Sequence, residues 1–193
     1  LSLSDRVGSS APTDVYNRQI NDNLAFGAYA FDALTSGSNN VAIGNNASKS
    51  MTGGSRNVSI GQDALLTNTT GSDNIALGTN SLKSNTTGYD NIALGNGALI
   101  QNTTGYYNVA LGREALSSNT TGTSNTAMGR FALILNTTGY RNVSIGGESM
   151  NQNTTGSLNT AVGAFSLWNN TTANDNTTVG YESMYSNTTG NYN

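Results

Sequence analysis

The pattern Asn-x-small-x-Gly opens at Asn23, Asn40, Asn57, Asn74, Asn91, Asn108, Asn125, Asn142, Asn159 and Asn176, each seventeen residues after the last, and Asn193 stands where an eleventh copy would open. A fixed period near twenty residues specifies a solenoid, because one such unit cannot bury its apolar side alone and must stack on its neighbours. Length by itself, 193 residues, would suggest one or two globular domains; the repeat overrides that. The repeat divides the chain into residues 1–22, which do not fit it, and a solenoid over residues 23–193.

Composition narrows the chemistry. Charged residues make up 10% of the chain, against roughly 25% in an average soluble domain, so Asn, Thr and Ser keep it in solution. Eight basic and eleven acidic residues, with no basic stripe, argue against a nucleic-acid partner. With no Cys there are no disulfides or thiolate sites, and with no His the commonest general base and metal ligand is missing, so no cofactor is expected. No apolar run approaches the roughly 20 residues that span a bilayer, so no membrane insertion is expected. The start, Leu1 to Gly8, lacks the basic region and apolar core of a signal peptide; beginning with Leu rather than Met, the chain is compatible with a fragment or a processed product.

Residues 1–22 contain the one proline, Pro12, and a polar stretch in which Val15, Tyr16 and Ile20 are spaced as a short helix could use. This segment reads as an N-terminal cap or connector, compatible with attachment to a larger assembly.

Counting each opening Asn as position 1, the columns can be read down the repeat. Position 4 is never polar (Ile60, Leu77, Leu94, Leu111, Ile145 and their equivalents), and position 9 is apolar except at Ser48, with Leu82, Leu99 and Leu116 at mid-chain. Both columns are expected to be core. Positions 3 and 8 are Ala or Ser almost throughout, so something approaches them closely, and other copies of the chain are expected there. Val109-Ala110-Leu111 alternates as a strand does, and Gly112 ends it. A second strand is expected through Ala115-Leu116-Ser117-Ser118, before Asn119-Thr120-Thr121-Gly122 turns the chain. The expectation is an all-β chain, a parallel β-solenoid (β-roll) of ten 17-residue coils with two short strands per coil, forming a rod on the order of 50 Å long. So thin a core leads us to expect a homotrimer.

No insertion breaks the period, so no long loop exists on which to build an active site, and the chain is expected not to be an enzyme. The recurring carboxylates Asp63, Glu114, Glu148 and Glu182 are irregularly spaced and read as surface charge; the Gly-Gly-x-Gly-x-Asp nonapeptide of calcium-binding β-rolls is absent. Asn-Thr-Thr recurs eight times, at Asn68, Asn85, Asn102, Asn119, Asn136, Asn153, Asn170 and Asn187. It matches a glycosylation sequon but reads more simply as a ladder of stacked Asn with Thr hydroxyls serving the turn. Threonine ladders also raise ice binding, against which stands the rule that adjacent strand residues point to opposite faces. Aromatics occupy the positions the repeat leaves free. Tyr89, Tyr106, Tyr107, Tyr140 and Trp168 are the candidate recognition residues, although they could equally shield neighbouring coils or a trimer groove.

Asn40-Val41-Ala42-Ile43-Gly44, repeated as Asn91-Ile92-Ala93-Leu94-Gly95 and Asn108-Val109-Ala110-Leu111-Gly112 and followed three residues later by Ala-Leu, closely resembles the head repeat of trimeric autotransporter adhesins. The resemblance covers Asn23 to Asn193 and implies a left-handed parallel β-roll assembled as a trimer. This repeat is longer by about three residues, around Asn-Thr-Thr-Gly, and in that form is similar to fibre proteins of bacteriophages and other viruses. The resemblance implies a virion-surface fibre that attaches to a host glycan or protein, or alternatively an extracellular head on a bacterial cell surface. A self-assembling extracellular filament is a further alternative, against which the non-repeating N-terminus argues.

Overall fold

The computed structural model describes residues 17–193. Eleven strands form one sheet in chain order: β1 (Asn17–Ile20), β2 (Asn23–Phe26), β3 (Val41–Ile43), β4 (Val58–Ile60), β5 (Ile75–Leu77), β6 (Ile92–Leu94), β7 (Val109–Leu111), β8 (Thr126–Met128), β9 (Val143–Ile145), β10 (Thr160–Val162) and β11 (Thr177–Val179). From β2 onward all pairs are parallel with a register of seventeen, as in Ile92↔Val109, Ala93↔Ala110 and Leu94↔Leu111. The seventeen-residue solenoid read from the sequence is the fold.

Its N-terminal end differs from the expected helix. Residues 17–20 form β1, which runs antiparallel to β2 with Asn17 opposite Phe26 and Ile20 opposite Asn23. Asn21 and Asp22 make the turn with φ of 52° and 59°, the double positive-φ geometry that lets a two-residue hairpin follow strand twist. The sheet therefore begins inside the segment assigned to the cap; Val15 and Tyr16 lie outside the described residues.

Each coil has one strand, not two. Around the expected second strand, Glu114 and Leu116 take φ of 56° and 53°, and the alternation of left-handed residues breaks β geometry. Coil-to-coil hydrogen bonding continues there all the same, with Leu99 N donating to Ala115 O at 3.0 Å and Leu116 N to Ala132 O at 3.0 Å. The left-handed turn at position 9 swings its side chain inward, and Leu82, Leu99 and Leu116 are fully buried as expected.

The strands face the other way from the sequence reading. Ala76, Ala93 and Ala110 have no exposed surface, while Leu77, Leu94 and Leu111 are half-exposed, as are Ile75, Ile92 and Val109. The position-4 column is thus on the outer face, and the Ala/Ser column, expected to meet other copies, is inside the coil. Space explains the inversion. A seventeen-residue loop encloses room for one large side chain per coil, the position-9 Leu, and the strand opposite it must supply something small.

Asparagine closes the interior on two lines. At position 1, Asn108 N and Nδ2 both donate to Asn91 Oδ1 at 3.1 Å, and Nδ2 also donates to Gly122 O at 2.9 Å. At position 12, Asn119 Nδ2 donates to Asn102 Oδ1 at 2.9 Å and to Gly122 O at 3.0 Å. Asn74, Asn91 and Asn108 are fully buried. The first two coils differ: Leu34 and Met51 replace the position-12 Asn, and Met51 fills the space that Ser48 leaves at position 9, while Ser48 Oγ bonds Ser59 Oγ at 2.8 Å. Gly78, Gly95 and Gly112 belong to a column with no room for a side chain; a Cβ on Gly95, at φ 135°, would sit 2.5 Å from Gly112 O.

Candidate recognition surface

The tight positions above confine variation to the outside of the rod, chiefly positions 6, 7, 10, 16 and 17. The last two follow the Asn-Thr-Thr-Gly corner, and successive coils place their side chains directly over one another. The Tyr89 and Tyr106 rings, both at position 16, stack at 4.8 Å with 3° between planes. Tyr107 meets both edge-on, at 5.6 Å from Tyr89 and 5.2 Å from Tyr106. Burial raises the Tyr89 phenol above its ordinary pKa, and Tyr107, Tyr106 and Asp90 add to the effect.

The other two candidates lie apart from this cluster. Tyr140 shares position 16 but sits two coils beyond Tyr106, with Thr123 between them. Trp168 is at position 10, on another line of the rod, and stacks on Tyr185 at 5.4 Å and 7°. Its indole N–H is buried with no acceptor among the described residues. The sequence reading missed a further aromatic contact at Phe131: Arg113 and Arg130 lie over its ring at 5.6 and 4.4 Å. Arg113 and Arg130 occupy position 6 of adjacent coils, one repeat apart, and that spacing could have revealed the pairing. Phe165 and Tyr181 also meet edge-on, at 6.0 Å.

The charged residues pair along the axis. The exposed Arg56 Nη2 donates to Asp73 Oδ2 at 2.7 Å, one coil on, and this bond holds the half-buried Asp73 carboxyl below its usual range. Asp63 is likewise lowered, first by the Asn46 amide at 2.9 Å and then by Lys83 Nζ at 3.2 Å, with burial opposing. Among the described residues no three His, Cys, Asp or Glu side chains group so as to hold a metal ion, and no helix is long and apolar enough to cross a membrane.

The Asn-Thr-Thr corners behave as a ladder. Apart from Asn187 in the last coil, these asparagines are fully buried, and Nδ2, the atom a glycan would need, is engaged in hydrogen bonds. The first Thr donates to the next coil, as Thr103 Oγ1 does to Thr120 O at 3.0 Å. Since these residues lie in a bend and not in a strand, the opposite-faces rule does not govern them. The second Thr of each corner, Thr70 through Thr189, is exposed.

No protein-family model, curated protein or solved structure matches this chain.

Proposed function

We propose that the chain is part of a non-enzymatic structural fibre or adhesin, a virion fibre of phage-tail or capsid type that attaches to a host surface. A bacterial cell-surface head is the alternative setting. The observation that carries this reading is how the rod divides its surface. One face is a row of Val, Ile and Leu at positions 2 and 4 through β3 to β7, half-exposed at Leu94 and Leu111 and continuing to Met128 at 39% exposure. Another line carries the tyrosine cluster. Contiguous apolar surface of this kind marks interaction sites. Two further copies of the chain covering it as a homotrimer would leave the aromatic edges facing out in triplicate. Weak contacts repeated three times then gain strength through effective concentration, with no deep pocket.

The test is oligomeric state and shape, by light scattering with negative-stain imaging, followed by binding of fluorescently labelled protein to a panel of bacterial and animal cells. A trimeric rod that binds a subset of those cells is the expected result. A stable monomer in dilute solution would refute the trimer, and a trimer that binds no cell type would refute attachment.

The exposed threonine column supports a second reading, ice binding. Thermal hysteresis in the purified protein would favour it; a freezing point equal to the melting point would dismiss it.

A further inference from the structure

Position 16 carries Ser72, Tyr89, Tyr106, Thr123, Tyr140 and Ser157 in successive coils. The 4.8 Å, near-parallel stack of Tyr89 on Tyr106 means that rings in this column are spaced one per coil along the axis. Tyr140 is two coils beyond Tyr106, about 9.6 Å at the usual strand spacing. At Thr123 the stack is missing one ring. A flat ring inserted there would lie about 4.8 Å from each neighbouring position, within the ordinary stacking range.

The gap is reachable and its floor is polar. Tyr140, on one side, is 44% exposed, while Tyr106 on the other and Thr123 and Ser124 beneath are half-buried. A hydrogen-bond relay also fails here. Elsewhere the backbone N–H at position 16 donates to the side chain one coil on: Ser38 to Ser55 Oγ at 3.1 Å, Tyr140 to Ser157 Oγ at 3.1 Å and Ser157 to Asn174 Oδ1 at 2.8 Å. From Ser72 to Thr123 no such bond is made, and the Tyr106 and Thr123 amides have no partner among the described residues.

We propose that this gap is a subsite for one neutral hexopyranose ring of a glycan. It rests on the attachment reading and adds to it the class of receptor. A hexopyranose is flat, with C–H groups on a face that can lie against an aromatic ring and hydroxyls around its edge. Tyr106, stacked on Tyr89 by one face, and Tyr140 supply an aromatic ring on each side, and the floor offers the Thr123 and Ser124 hydroxyls and the Thr123 amide. The side chains that line the gap, Tyr106, Tyr140, Thr123 and Ser124, are all uncharged, which assigns the sugar as neutral; of the charges at position 17, Arg141 lies one coil away and Asp90 two.

The experiment uses the whole chain on immobilised oligosaccharides ending in neutral hexoses or N-acetylhexosamines, with sialylated versions alongside. Thr123→Tyr and Tyr140→Ala are compared with the unsubstituted protein, and circular dichroism checks that each variant keeps its fold. Thr123→Tyr is the decisive variant because it adds an aromatic ring, and Tyr already occupies position 16 in neighbouring coils. Filling the gap should lower neutral-glycan affinity at least about tenfold, as should removing the Tyr140 wall. Unchanged or tighter binding by Thr123→Tyr would overturn the slot, and binding confined to sialylated probes would overturn the neutral sugar. If no probe binds while cell binding still depends on Tyr140, the receptor is a protein: the sugar assignment falls and attachment stands. If cells are not bound either, both fall.

Discussion

Asn119→Leu should be among the most damaging single changes the rod can receive, and its cost can be worked from the position-12 ladder. Leu has nearly the shape of Asn, and Leu34 and Met51 show that the column accepts apolar residues where it is apolar throughout. In mid-ladder the change removes three hydrogen bonds and strands one group: Asn102 Oδ1 loses its donor at 2.9 Å, whereas Gly122 O keeps the Asn108 amide and Asn136 Nδ2 keeps Gly139 O. Asn119 has no exposed surface, so water does not replace what is lost. At roughly 1–3 kcal/mol for the unsatisfied oxygen and about 0.5–1.5 kcal/mol for each of the other two bonds, the cost is about 2–6 kcal/mol, less what relaxation recovers. Asn68→Leu provides the control. Asn68 is the first rung, beside Met51, and its loss removes two bonds but strands no group, because Gly71 O keeps the Asn57 amide and Asn85 Nδ2 keeps Gly88 O. It should cost less by about one such group, roughly 1–3 kcal/mol. Urea unfolding followed by circular dichroism measures both, with midpoint and slope compared because a repeat array can lose coils in stages. Equal costs for the two variants, or a cost below about 1 kcal/mol for Asn119→Leu, would refute the claim that the ladder holds the coils together.

Four other outcomes are expected. Leu99→Ala should destabilise the chain by about 3–5 kcal/mol, whereas Leu94→Ala should cost a monomer under about 1 kcal/mol in the same urea assay. Leu94→Asp should leave the coil folded and abolish a trimer by light scattering; an unchanged trimer would mean that the outer face is not the contact. Gly95→Ala, whose Cβ would lie 2.5 Å from Gly112 O, should lower Tm sharply, and an unchanged Tm would show that the coils can spread. Because Asp63 is held below its ordinary pKa, its contribution is present above about pH 4 and is lost as pH falls through the lower folded value. Asp63→Asn should therefore flatten the acid side of the stability profile, and a profile identical to that of the unsubstituted chain would discount the Asn46 and Lys83 contacts.

The period, register and corners could be read directly because a strict repeat fixes which residues lie above one another. The Leu99 column was therefore correctly placed inside, and the Asn102 ladder was correctly read as hydrogen bonds from coil to coil. The direction of the strand was not legible. Ala93 and Leu94 alternate in either orientation, and hydrophobicity favours Leu94 inside; the deciding quantity is the volume a seventeen-residue loop encloses, which needs the path of the backbone. The second strand failed for a related reason. Nothing in Ala115-Leu116 announces a left-handed Leu, since the sequence preferences for positive φ belong to Gly and Asn. Among the candidate residues, Tyr89, Tyr106 and Tyr107 could be grouped from their spacing. Trp168 could have been excluded the same way, because it occupies a different position of the repeat.

From the coil opened by Asn57 onward, neighbouring coils share the same strand register and the same two asparagine lines, so any of these coils is a valid neighbour for almost any other. Excising residues 91–107 would join the coil opened by Asn74 to that opened by Asn108 with both asparagine lines continuous. Duplicating a coil would do no more harm than removing one. Recombination between repeats can therefore lengthen or shorten the rod in single steps of one strand spacing. The unusual rings of one coil pair travel as a cassette, so reach and recognition are free to evolve separately.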